Sequence, residues 1–87
     1  MLREIILLVH EAEHVRQAVA ESFAQAGSAV EAVSSHAEAA EFMVLFRPDW
    51  ILVSERQAHE LLLRVHRQEH LRGVPVVLLP DLAATRK

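Results

Sequence analysis

Four short apolar runs, separated by stretches whose apolar positions recur with a helical period, restrict this chain to few architectures. Ile5–Val9 is a continuous apolar run, the pattern of a strand buried on both faces. From Ala12 to Ala26 the period changes. Val15, Val19, Ser22, Phe23 and Ala26 fall on one helical face, and Gly27 stands where a helix C-cap belongs. Ala29–Val33 reads as a second strand. Ser35 and Glu38 form an S-x-x-E capping box, predicting a helix to about Phe46, with Pro48 as the stop. Trp50–Val53 is a third strand and Gln57–Leu71 a third helix closed by Gly73. Val74–Leu79 is a fourth strand with Pro75 near its start. The order βαβαβαβ implies an α/β domain with an open parallel sheet, right-handed crossovers and helices on both faces.

Composition fits one packed domain over residues 1–87, with residues 80–87 as a tail of loop or frayed helix. The chain is 52% hydrophobic with only two glycines and three prolines, and it has no cysteine for a disulfide or a thiolate metal site. The net charge is −3, and the nine basic residues form no stripe, so direct nucleic-acid binding is not expected. The longest apolar stretches, Ile5–Val9 and Phe42–Phe46, are five residues each, against about 20 for a membrane span. No secretory signal is evident, and a cytoplasmic location is expected.

Several segments resemble the response-regulator receiver family. Ile6-Leu7-Leu8-Val9-His10-Glu11 is similar to the first receiver strand, which ends in two acidic residues, and Val15-Arg16 follows at the family's spacing. Ala39-Ala40 and Arg47-Pro48-Asp49-Trp50-Ile51-Leu52-Val53 resemble the end of the second helix and the third strand. Glu60-Leu61-Leu62 resembles the start of the third helix, and Val74-Pro75-Val76-Val77-Leu78-Leu79 the fourth strand. The resemblance covers nearly the whole chain. It implies a flavodoxin-like (CheY-like) sheet of strand order 2-1-3-4, with Ala39, Ala40 and Met43 facing the sheet and Val44 and Leu45 pointing outward.

The departures govern function. A receiver takes a phosphoryl group on a carboxylate ending the third strand, with Mg²⁺ held by acidic residues after the first. Ser54 stands at that acceptor position and His10-Glu11 at the acidic pair. Pro80 stands where a hydroxyl is expected, and the sequence given stops before a fifth strand and its lysine. The loop after the third strand is about four residues shorter than the family's. The expectation is a truncated pseudo-receiver that is not phosphorylated on aspartate, is not an enzyme, and needs no metal or cofactor.

Two other chemistries compete with this. His10-Glu11-Ala12-Glu13-His14 matches H-E-x-x-H, but His10 follows directly on a strand, so the two histidines are not expected on one helical face. His59, His66 and His70 lie on one side of the predicted third helix, where Arg56, Arg64, Arg67 and Arg72 repel a cation. The alternative function is phosphotransfer or metal-dependent activity using His10, Glu11 and Ser54 at the carboxyl ends of the strands. The favoured one is a docking or dimerisation module in signalling. Its candidate interface is Val44, Leu45 and Phe46 on the second helix and Val76, Val77, Leu78 and Leu79 on an edge strand. The expected partner is a second copy or another signalling protein.

Overall fold

The structure, a computed structural model, describes residues 3–80. The elements are β1 (Ile5–Val9), α1 (Glu13–Gln25), β2 (Ala29–Val33), α2 (His36–Leu45), β3 (Trp50–Ser54), α3 (Glu55–His66), a 3₁₀ turn (Glu69–Leu71) and β4 (Val76–Leu79). The strands form one parallel sheet in the order β2-β1-β3-β4. Of the expected tail, residues 81–87 lie outside the described residues.

The apolar runs of the two central strands, β1 and β3, are buried on both sides, as the centre of a parallel sheet requires. Leu7, Val9, Ile51 and Val53 join Ala39 and Met43 of α2 and Leu61 and Val65 of α3 on one face. Ile6, Leu8 and Leu52 form a smaller cluster on the other, covered by Val19 and Phe23 of α1. No residue of α1 is fully buried, and Ser22 and Ala26 of its predicted face are exposed. Gly27 adopts φ 96°, and the N–H groups of Gly27 and Ser28 donate to Ala24 and Phe23 carbonyls, closing α1.

The second helix starts as its capping box dictates. Glu38 N–H donates to Ser35 Oγ at 3.2 Å. The Glu38 carboxylate reaches back one residue further than usual, to Ser34 N–H at 2.8 Å and Ser34 Oγ at 3.1 Å. These bonds and Arg16 hold the Glu38 carboxyl below its ordinary value, against a small opposing effect of burial.

The third helix departs from the sequence expectation at both ends. It begins at Glu55, directly after β3, and stops at His66. Continued to Leu71, it would carry that side chain roughly 80° round from Leu61, off the stripe that Leu61 and Val65 bury. The chain instead unwinds into the 3₁₀ turn, which brings Leu71 into the core at 1% exposure. Arg47 secures this turn by donating to the carbonyls of His70 and Arg72, each at 2.9 Å. β4 starts at Val76, two residues late. Val74 N–H is taken by the Leu71 carbonyl at 3.2 Å, and Pro75 has no N–H to offer.

Candidate functional site

The carboxyl ends of β1 and β3 lie side by side at the point where the strand order reverses, the usual ligand position of open α/β sheets. Glu11 follows β1 and Ser54 ends β3. Forty-three residues apart in sequence, they meet as Ser54 Oγ donates to Glu11 Oε1 at 2.8 Å. Ser54 is 4% exposed, whereas Glu11 opens to solvent. Burial pushes the Glu11 carboxyl up, but the Ser54 hydroxyl, its own backbone N–H, His10 and Gln57 together outweigh this and leave it below its ordinary value. Arg56 Nε stands 3.9 Å from Glu11 Oε2, on a side chain 81% exposed, so that ion pair contributes little.

His10 makes no hydrogen bond to this pair. Its ring Nδ1 accepts Ala12 N–H at 3.0 Å, its backbone N–H donates to the Val33 carbonyl at 3.1 Å, and its backbone carbonyl accepts Arg16 Nη1 at 2.9 Å. It precedes α1, whereas His14 lies in the first turn of α1, so the H-E-x-x-H residues do not share a helical face. Pro80 is exposed just past β4, whose Leu79 is in register with Ser54. It brings no side-chain donor to the site.

The residues present do not fit a magnesium site. A hard divalent cation takes several oxygen ligands, and here one carboxylate is offered, with one oxygen engaged by Ser54 and a guanidinium nearby. Among the described residues no group of three or more His, Asp or Glu side chains converges. The predicted histidine row on α3 loses its last member. His70 belongs to the 3₁₀ turn, and its Nε2 lies 2.7 Å from the Met43 carbonyl, capping the end of α2. The reason is the unwinding that buries Leu71.

Gln57 is the contributor that motif reading passed over. Ser54-Glu55-Arg56-Gln57 has the S-x-x-Q spacing of a capping box, which was the available signal. Ser54 makes no side-chain cap bond to α3, because its hydroxyl goes to Glu11. Gln57 Oε1 instead accepts the N–H of His36, at the start of α2, at 3.0 Å. Arg64 Nε donates to His36 Nδ1 at 3.1 Å. Potential caps of α3 thus tie β1, α2 and α3 together around the top of β3.

Two apolar surfaces lie away from this site. On α2, Val44, Leu45 and Phe46 are 71%, 80% and 52% exposed, with Phe46 stacked on Phe42 at 5.0 Å. On β4, Val76 and Leu79 are half-buried and Val77 and Leu78 exposed. Among the described residues no helix is long and apolar enough to cross a membrane.

No protein-family model and no curated protein sequence matches this chain. Solved structures do. The chemotaxis response regulator CheY4 of Vibrio cholerae aligns with a TM-score of 0.82 at 22% identity, over 88% of this chain and 68% of that one. A yeast Spc42 trimeric coiled-coil segment fused to another protein aligns with a TM-score of 0.78 at 21% identity, over 92% of this chain and 55% of that one. The chain therefore has the CheY-like receiver fold, α/β with strand order 2-1-3-4. At these identities the likeness carries the fold alone.

Proposed function

We propose that the chain is a non-catalytic pseudo-receiver, a cytoplasmic signalling module that works by binding other protein surfaces, without aspartyl phosphorylation. The observation that carries this is the buried Ser54 hydroxyl at the end of β3, donating to Glu11 at 2.8 Å. A serine hydroxyl is un-ionised near neutral pH. With its proton committed to Glu11 and no acidic pair to hold a cation, it lacks the charge arrangement that stabilises phosphoryl transfer. The exposed Val44, Leu45 and Phe46, and the Val76–Leu79 edge, supply the binding surfaces.

Incubation with acetyl phosphate and Mg²⁺, followed by intact mass spectrometry, tests this. No phosphoryl adduct is expected at any time point. An Mg²⁺-dependent adduct on Ser54 or His10 would favour phosphotransfer by His10, Glu11 and Ser54 and overturn the proposal.

A further inference from the structure

Among the described residues β4 is an edge of the sheet, and its backbone is set up for one pairing. The Pro75 carbonyl accepts Ile51 N–H at 2.9 Å and so faces β3. Alternation then turns the N–H and C=O of Val76 and Leu78 away from β3. Val74 N–H is already spent on Leu71, and Pro80 has none, so the outward ladder is limited to these two residues. The same alternation puts the Val76 and Leu78 side chains on the α3 face, and Val77 and Leu79 on the α1 face.

We infer that this edge pairs with the β4 edge of a second copy, antiparallel, about a two-fold axis at Val77. This rests on the interaction-module proposal and names its partner. With Val76 opposite the partner's Leu78, all four outward groups of each strand find partners in four hydrogen bonds, and each side chain keeps its face. Sliding so that Leu78 opposes its own copy sets Val76 against a proline and strands the Val76 carbonyls. The chosen register is therefore the one that leaves no outward group of Val76 or Leu78 unpaired.

The helix layer agrees. α3 lies over both β3 and β4. With strands about 4.8 Å apart, two such helices flanking paired β4 strands stand about 10 Å apart, the ordinary helix-packing distance. Leu62 occupies the flank of α3 nearest β4, beside a recess of about 240 Å³ lined also by Val65, Leu71, Val74 and Val76. The partner's Leu78 arrives directly opposite Val76, at the edge of that recess.

Charge favours the antiparallel sense. α3 carries Arg64 and His66 in its last turn, with Arg67 and Arg72 beyond, whereas Glu55 and Arg56 offset one another in its first. Antiparallel helices keep the two basic ends apart, and parallel ones would crowd them. The joined section, two layers deep and about 18 Å long for a 12-residue helix, is small beside the roughly 1,200–2,000 Å² buried by stable specific interfaces. The dimer is therefore expected to dissociate measurably in the micromolar range.

Cysteine cross-linking of the full chain tests the register, since no native cysteine competes. In a non-hydrogen-bonded antiparallel pair the two Val77 Cα atoms stand about 4.5 Å apart, within disulfide reach. Mild oxidation of Val77→Cys is expected to give a linked dimer at least tenfold faster than Leu78→Cys. Sedimentation equilibrium is expected to show a dimer for the unaltered chain and a folded monomer for Leu78→Pro, which removes an outward N–H and leaves the ladder to β3 intact. A wild-type monomer at high micromolar concentration, equal cross-linking rates, or a dimer that survives Leu78→Pro would overturn the inference. If Val44→Asp with Leu45→Asp abolishes self-association while Leu78→Pro does not, this geometry fails and the interaction-module proposal stands. An acetyl phosphate adduct would defeat that proposal separately.

Discussion

Replacing Leu61 with alanine is expected to remove about 3 kcal/mol of folding stability, within the range of buried leucine truncations. Leu61 is fully buried and packs α3 against the sheet through the main core cluster. The neighbouring elements are held by turns and strand pairing, so the vacated space cannot collapse freely and the cavity cost adds to the lost transfer energy. A domain of this size has a total stability of roughly 4–13 kcal/mol. The loss is therefore a large fraction, and a pre-transition population of unfolded chains should become visible. Leu63→Ala is the matched control, because Leu63 is 42% exposed on the outer side of the same helix, where surface substitutions change stability by about 0.5 kcal/mol or less. Urea denaturation at one fixed protein concentration checks both, since self-association would couple to stability. Equal midpoints for the two variants would mean that α3 presents a different face to the sheet.

Ser54→Asp is the second large effect. It sets a carboxylate at the acceptor position, where the native hydroxyl is 2.8 Å from Glu11 Oε1 and only 4% exposed. Two carboxylates so close cannot both ionise cheaply, and one of them is pushed well above its ordinary range. The expected cost near neutral pH is about 2–4 kcal/mol, from an uncompensated buried charge or the energy of protonating it. A group whose folded pKa is raised is favoured below its unfolded value, and that advantage disappears as pH rises through the folded value. The variant should therefore lie closer to wild type in urea midpoint at pH 4 than at pH 8. Ser54→Asn, of similar size without the charge, should not share that pH trend. An aspartate variant as stable as wild type at pH 8 would show that the site is more open than the Ser54–Glu11 contact implies.

Much of the fold was readable because the central strands are buried on both faces. A run such as Ile5–Val9, with no polar alternation, has few places to go except the centre of a parallel sheet. The capping box at Ser35 and Glu38 marked the start of α2 by local hydrogen bonding alone. The end of α3 was not readable, because helical propensity continues through Gln68 while the burial of Leu71 is a tertiary demand. Misplacing that end also misplaced His70, which caps α2.

The candidate site was legible as positions but not as bonds. His10, Glu11 and Ser54 were named from their places at strand ends, yet only Glu11 and Ser54 join. His10 is diverted by its own following turn, as Nδ1 accepts Ala12 N–H. The S-x-x-Q spacing of Ser54 and Gln57 points to a local cap, and only the pairing of β1 with β3 brings up Glu11 as the competing acceptor for Ser54. Long-range topology decides which of two chemically reasonable partners a serine hydroxyl takes.

A carbon-detected NMR titration of the Glu11 carboxyl, in wild type and in Ser54→Ala, probes the closed pair at its own atoms. The midpoint should fall below the ordinary 4.5 in the wild type and rise once the hydroxyl is removed. A wild-type midpoint at or above that value, unmoved by the substitution, would contradict the idea that the serine's proton is held by this carboxylate.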